Sequence, residues 1–171
     1  VYNIYQNYKN QIESTITYNE NVSITPSICL TNNQFLTSEC STEAKSYVTS
    51  LINNINLLFN YNISSSDFAN YTYSYKIVAH TVANEKGDSD KIVYETNDTL
   101  DSGTFNNSNV NYFNVDKTIN FDFQKYNNTI AEFKRNYVLA LDSKVEILAT
   151  VSAVAKYDDR DSVELNKTLV L

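Results

Sequence analysis

Between Tyr47 and Ile63 the apolar side chains Leu51, Ile55, Leu57, Phe59, Tyr61 and Ile63 all occupy odd positions. A period of two is the signature of a half-buried β-strand, because successive side chains leave opposite faces of the pleat. Helical spacing competes with it at the start, where Ala44, Tyr47, Val48 and Leu51 also share one face, so the strand proper is expected to begin near Ile52. The same alternation places Ile16, Tyr18, Val22 and Ile24 on a strand over Ser14 to Thr25, ended by Pro26. It places Tyr71, Tyr73, Tyr75, Ile77 and Ala79 on another over Tyr71 to Ala83, after a turn at Ser64 to Asp67. A turn from Asn84 to Asp90, with Gly87 at the left-handed position, predicts a hairpin into Lys91 to Thr96. Val110 to Val115 and Thr118 to Phe123 read as one further strand or two.

One segment changes period. Tyr126, Ile130, Phe133, Tyr137 and Leu141 follow each other at intervals of four, three, four and four, which predicts an amphipathic helix near residues 124–140 with Asp122 or a nearby Asn as its cap. Alternation returns from Val145 to Tyr157, where the small Ala149, Ala153 and Ala155 predict something bulky packed close against the strand, most simply the helix or a facing sheet. After a turn at Asp158 to Asp161, Val163, Leu165, Leu169 and Leu171 form a last strand. About seven or eight strands with one late helix predict a mainly β chain, a two-layer antiparallel β-sandwich of immunoglobulin-like character. Residues 14–171 are expected to form that single domain, and residues 1–13 a lead-in from a removed anchor or signal.

Composition narrows the class. The chain of 171 residues has no run apolar enough to span a bilayer, and it begins at Val1 without a single Met, so we expect a fragment freed of a signal, an anchor or both. A net charge of -7 with scattered Lys and Arg argues against nucleic acid, which demands clustered cations. Cys29 and Cys40 bracket a polar loop, and in an oxidising compartment they would close it as a disulfide; two Cys and one distant His do not make a four-ligand metal site. Among 25 asparagines, seven begin Asn-x-Ser/Thr triplets, a number that a chain this rich in Ser and Thr produces by chance. With only two Gly and one Pro, Asn is expected at turn positions needing positive φ.

Candidate chemistry is thin. His80 is the sole histidine and lies on the face opposite Ile77 and Ala79, where a solvated or packed side chain is the ordinary outcome; a hydrolase would need it within reach of a Ser and an Asp. Acidic residues cluster at Asp88 with Asp90, Asp98 with Asp101, and Asp158, Asp159 and Asp161, but none forms a Ca²⁺ loop with a central Gly and a closing Glu. Tyr71, Tyr73 and Tyr75 would serve as a sugar-stacking platform if exposed and as core if buried. No catalytic, cofactor or metal residue is assigned.

Three pieces, Tyr47-Val-Thr-Ser-Leu-Ile-Asn-Asn-Ile-Asn-Leu-Leu-Phe-Asn-Tyr-Asn-Ile63, Tyr73-Ser-Tyr-Lys-Ile-Val-Ala79 and the late helix running into Lys144-Val-Glu-Ile-Leu-Ala-Thr150, resemble an uncharacterised family of bacterial and archaeal ectodomains. That domain of unknown function is held between an N-terminal and a C-terminal membrane helix. The resemblance departs at the family's tryptophan, where Tyr94 stands, and at the Cys29 to Cys40 loop, which resembles an insertion. It implies a cell-surface domain that touches the membrane only through removed flanking helices. It also implies an association with signal peptidase I, alongside which some members occur. The expectation is a non-catalytic domain whose partner is a protein or cell-envelope component, with no cofactor; a carbohydrate-binding module and a hydrolase or peptidase are the alternatives.

Overall fold

The computed structural model describes residues 16–31, 39–158 and 161–171. The expected lead-in over residues 1–13 lies outside them, as does most of the loop between the cysteines. Six strands and one helix follow in order: β1 (Tyr18–Leu30), β2 (Cys40–Ser41), β3 (Ile52–Glu85), β4 (Ile92–Phe121), α1 (Phe123–Tyr137), β5 (Leu141–Lys156) and β6 (Val163–Val170). All pairings are antiparallel, along the path β2-β1-β3-β5-β6 with β4 on the other side of β3. A single 3₁₀ turn at Thr49–Leu51 precedes β3, so the strand proper does begin at Ile52.

A straight strand of 34 residues would run for roughly 110 Å. β3 does not, because the rings of Phe59 and Tyr75, sixteen positions apart on the same strand, stack with centroids 5.1 Å apart, and those of Tyr61 and Tyr73 lie 6.0 Å apart. The strand therefore doubles back, and β4 doubles with it. The fold-over sits where the register slips: Ser64 and Ala69 pair with Tyr112 and Val110, so β3 spends more residues on the corner than β4 does. Extra residues in one strand of a pair bend and twist the ladder. One layer holds β2, β1, the first half of β3 and the second half of β4; the other holds the first half of β4, the second half of β3, β5 and β6.

The mainly β, antiparallel two-layer expectation is thus met by halves of one continuous sheet. Immunoglobulin-like connectivity needs two separate sheets, and the corner at residues 64–69 joins these two instead. Serines and an aspartate at the corner read as a turn between strands, but β1 still pairs with Ser65 and the ladder to β4 resumes at Ala69, so the two halves stay one sheet. β1 likewise continues through Pro26, because β2 covers only Ile28 and Cys29 of its far edge and a missing N–H facing open solvent costs no ladder bond. Residues 97–109 belong to β4, an edge strand whose polar composition hides it.

The inner faces are aromatic. Phe113 packs on Tyr61, Tyr71 and Tyr73, while Phe105 stacks on Tyr73 and Tyr75. Room for these rings comes from small neighbours on the same face: Ala155 lies beside Tyr71, Ala153 beside Tyr73 and Ala149 beside Ile77. Those are the alanines expected to face the helix or a facing sheet; the bulky side chains beside them come instead from the adjacent strand β3 of the same sheet. Gly103 completes the fit opposite Tyr75, since a Cβ there would meet Phe105 at 2.7 Å and Tyr75 at 3.0 Å.

The outer face of the first layer carries carboxamides. Asn60 Nδ2 donates to Asn114 Oδ1 at 2.8 Å, Asn62 Nδ2 to Asn60 Oδ1 at 2.9 Å and Asn120 Nδ2 to Asn54 Oδ1 at 2.6 Å. Here the expectation of Asn at positive-φ turns is corrected: among the described residues Asn109 alone of the asparagines has φ in that region, at 52°. Side-chain amides that bond to one another across strands satisfy themselves without a turn. Gly87, at φ 83°, does occupy the expected turn position.

Phe59→Ala is expected to lower unfolding stability in urea by about 3–5 kcal/mol, and Leu58→Ala, on the outer face beside it, by less than about 1 kcal/mol.

Candidate functional site

Helix α1 decides where a cavity can exist. Its N-cap Asp122 accepts from Lys125 N–H at 3.1 Å, and Lys134 and Arg135 in its last turn complement the negative end of its dipole. Observed at Phe123–Tyr137, it leaves β4 in one layer and returns to β5 in the other, so it lies across the end of the sandwich opposite the corner. Tyr126 and Ile130 are buried as the spacing requires, Tyr126 stacked on Phe121 at 5.0 Å and Ile130 packed with Ala83 and Leu141. Tyr137, at 63% exposure, turns to solvent instead, because the helix ends there and Val138 takes the left-handed conformation with φ 51°.

Where the helix does not fill the gap between layers, a cleft of about 420 Å³ remains. Ile55 and Leu57 line it from one layer, Val145 and Ile147 from the other, and Tyr126 and Ile130 from the helix. Lys144 borders it, but the Lys144 ammonium turns away to Glu146 on the outer face. A second depression of about 480 Å³ lies on the outer face of the second layer, lined by Ser74, Ser102, Thr150, Ser152 and Thr168 with Lys76 beside them. It is solvated sheet surface. The cleft joins three elements, is apolar, and falls in the roughly 300–1,000 Å³ range of ligand sites, so it is the stronger candidate.

The residues singled out in the sequence do not meet there. His80 lies on the outer face between two carboxylates, with Nε2 2.8 Å from Glu95 Oε1 and Nδ1 3.4 Å from Glu146 Oε2. Both ring nitrogens face acids, so neither is free to take a proton from a serine. Glu146 also receives Lys144 Nζ at 2.7 Å, and that hydrogen bond is the first reason its carboxyl is held below the usual range. Tyr71, Tyr73 and Tyr75 are at most 5% exposed and therefore core, which removes the stacking platform.

The acidic clusters separate in the same way. Asp88 accepts from Asp90 N–H in the hairpin turn, Asp98 pairs with Lys125 at 3.3 Å, and Asp101 accepts from the Tyr75 hydroxyl at 2.8 Å. Asp159 lies outside the described residues. Among the described residues, no group of three or more His, Cys, Asp or Glu is placed to hold a metal ion. Cys29 and Cys40 are joined as a disulfide between β1 and β2, with Cα atoms 4.0 Å apart.

Two interactions escaped the sequence reading. Glu20, 5% exposed at its side chain, accepts from the Tyr61 hydroxyl at 2.9 Å and faces Lys167 Nζ at 3.6 Å, tying the β1 edge to β6. The alternation places Glu20 on the inner face with Val22 and Ile24, which is the signal that identifies it. The Tyr71 hydroxyl, buried beside Ser65 and Tyr157, reaches neither at full hydrogen-bond geometry, although Ser65 Oγ and Tyr157 Oη are 3.4 Å from one another.

Fold and site together define a single-sheet β-sandwich closed at one end by a helix over an apolar cleft. No family model matches the chain, and no curated protein matches it. A solved structure of a candidate ApaA protein from Bordetella pertussis aligns over 90% of this chain and 93% of that one, with 10% identity and a TM-score of 0.29. A score that low does not indicate a shared fold.

Burial, and then the facing carboxylates Asp101 and Asp98, push the Tyr75 and Tyr126 hydroxyls up to about 12. Phenols whose folded-state value exceeds the unfolded one near 10 stabilise the fold below pH 10 and lose that contribution as pH rises towards 12. Absorbance at 295 nm should show these two tyrosines ionising together with loss of the β-sheet circular dichroism signal, in the window between about pH 10 and 12.

Proposed function

We propose that this chain is a non-catalytic, extracytoplasmic interaction domain, tethered to the membrane in its parent protein and binding a protein or another envelope component. The observation that carries the location is the Cys29–Cys40 disulfide, since such bridges persist outside the reducing cytosol. No helix among the described residues is long and apolar enough to cross a membrane, so the tether belongs to flanking sequence in this reading. The interaction role is supported by an apolar cleft that opens among uncatalytic surroundings, with His80, Asp98 and Asp101 engaged in pairs elsewhere. The resemblance to membrane-anchored ectodomains adds an association with signal peptidase I to the same proposal.

Intact cells expressing the parent protein, treated with a membrane-impermeant maleimide, should label Cys29 and Cys40 only after reduction, and external protease should reach the domain. Labelling without reduction, or protection from protease until lysis, would reject the location. Serine at both cysteines should lower stability by about 3 kcal/mol through loss of the closed loop.

A further inference from the structure

Alternation gives the outer face of the first layer to the even positions of β3 from Asn54 to Ser64. Register then adds every second residue opposite them, Asn19 to Ser27 on β1 and Tyr112 to Asn120 on β4. Eight of those sixteen residues are Asn, and Asp116 is the only one that carries a charge. The outer face of the second layer is unlike it, with Lys76, Glu95, Lys144 and Glu146. Towards the corner the carboxamides are held in place. Asp116 accepts from Asn60 Nδ2 at 2.5 Å and from Asn114 Nδ2, and Asn62 Nδ2 donates to Asn60 Oδ1 at 2.9 Å. Bonds from an amide to a carboxylate are the stronger kind. Each amide has two N–H donors and an acceptor oxygen, so Asn62 and Asn114 keep capacity beyond these bonds. Tyr112, 58% exposed, stands at one end of the array opposite Ser64; Leu58, 38% exposed, stands at the other, roughly 20 Å along β3.

We propose that this face binds an uncharged polysaccharide strand, laid along β3 and β4 between Tyr112 and Leu58. The proposal rests on reading the chain as an interaction domain and takes the envelope component to be a glycan. A pyranose ring has an apolar face of C–H groups and a rim of hydroxyls that both donate and accept. Tyr112 would take the C–H face of one ring and Leu58 that of another, with the carboxamides between them bonding to the hydroxyls of the rings they span. Because those carboxamides are already held by Asp116, binding costs little side-chain freedom. Charge selects the class of polymer. One bearing uronate, sulfate or phosphate groups would meet no cation on this face and a chain at -7, and a basic one would find the single carboxylate already engaged by two amides. A protein partner would require an apolar centre, which Leu58 alone does not make.

Proton–nitrogen correlation spectra of the whole chain resolve side-chain amides and test the site directly, with cellohexaose, laminarihexaose, mannohexaose and chitohexaose as neutral probes and hexagalacturonate as a charged one. At least one neutral probe should shift the carboxamide signals of Asn60, Asn62 and Asn114 saturably at millimolar concentration or below, and hexagalacturonate should not. Tyr112→Ala should weaken that binding about ten-fold while keeping the native spectrum, since the ring is exposed. Asn62→Ala, measured alongside, should weaken it too and stands in should the tyrosine variant lose its fold. No shift with any neutral probe, equal shifts with hexagalacturonate, shifts centred on the apolar cleft, or undiminished binding in the folded variants would overturn the proposal. Envelopes from cells that make the parent protein separate this proposal from the reading beneath it. Cosedimentation that survives Tyr112→Ala would reject this site alone, whereas no cosedimentation of the unaltered chain would reject the interaction reading itself.

Discussion

Everything in this molecule depends on a ladder of two long strands being held bent. A hairpin of β3 and β4 left straight would expose one apolar face along its whole length, and its hydrogen bonds alone would not determine a shape. The aromatic contacts across the fold supply what the ladder lacks. Phe113 and Phe105 come from opposite halves of β4 and pack on opposite sides of Tyr73, so the ring of one tyrosine joins the two arms. Stacked and edge-on ring pairs add roughly 0.5–1.5 kcal/mol each beyond the area they bury. Because alanines and Gly103 occupy the adjacent positions, the rings have one arrangement that fits, and the corner is fixed by what it brings together.

That dependence explains what the sequence made legible. Period-two alternation from Ile55 to Ile63 and from Tyr71 to Ala79 reports which face is buried, and both inner faces are as the pattern requires, while Leu51 falls in the turn before the strand. It does not report whether two faces belong to separate strands. Ser64 to Asp67 has the composition of a turn, and only the partner strand, which pairs on both sides of it, shows that the ladder continues. Residues 97–109 were hidden for the opposite reason: as an edge segment they bury so little that Thr, Asp and Asn suffice, and the apolar rhythm fades to Leu100 and Phe105. The helix was legible almost to the residue at its start, since its cap and its buried Tyr126 and Ile130 are local features. Its end was not, because nothing in the sequence marks Val138 for a left-handed turn.

The candidate site was illegible for a related reason. A cleft is made by what fails to fill a space, and Ile55, Tyr126 and Val145 are ordinary core residues until the helix is seen to stop short of closing the gap. The residues that do stand out chemically are consumed in structure: His80 between two glutamates, Asp101 beneath a tyrosine hydroxyl, Asp98 on a lysine. Asparagine follows the same rule, its carboxamides forming rows across β3 and β4 that give a polar face without adding charge to a chain already at -7.

The corner also sets where the described ends of the chain lie along the sandwich. Residue 17 bonds to Ser66 at the corner, whereas Leu171 bonds to Ile147, well towards the helix end. β1 leaves the corner lying along β3, and β6 approaches the helix end lying along β5. A load applied between the two ends would therefore drag each outer strand lengthwise over its neighbour. The hydrogen bonds of each pair would have to give way together in shear, not one after another as in unzipping.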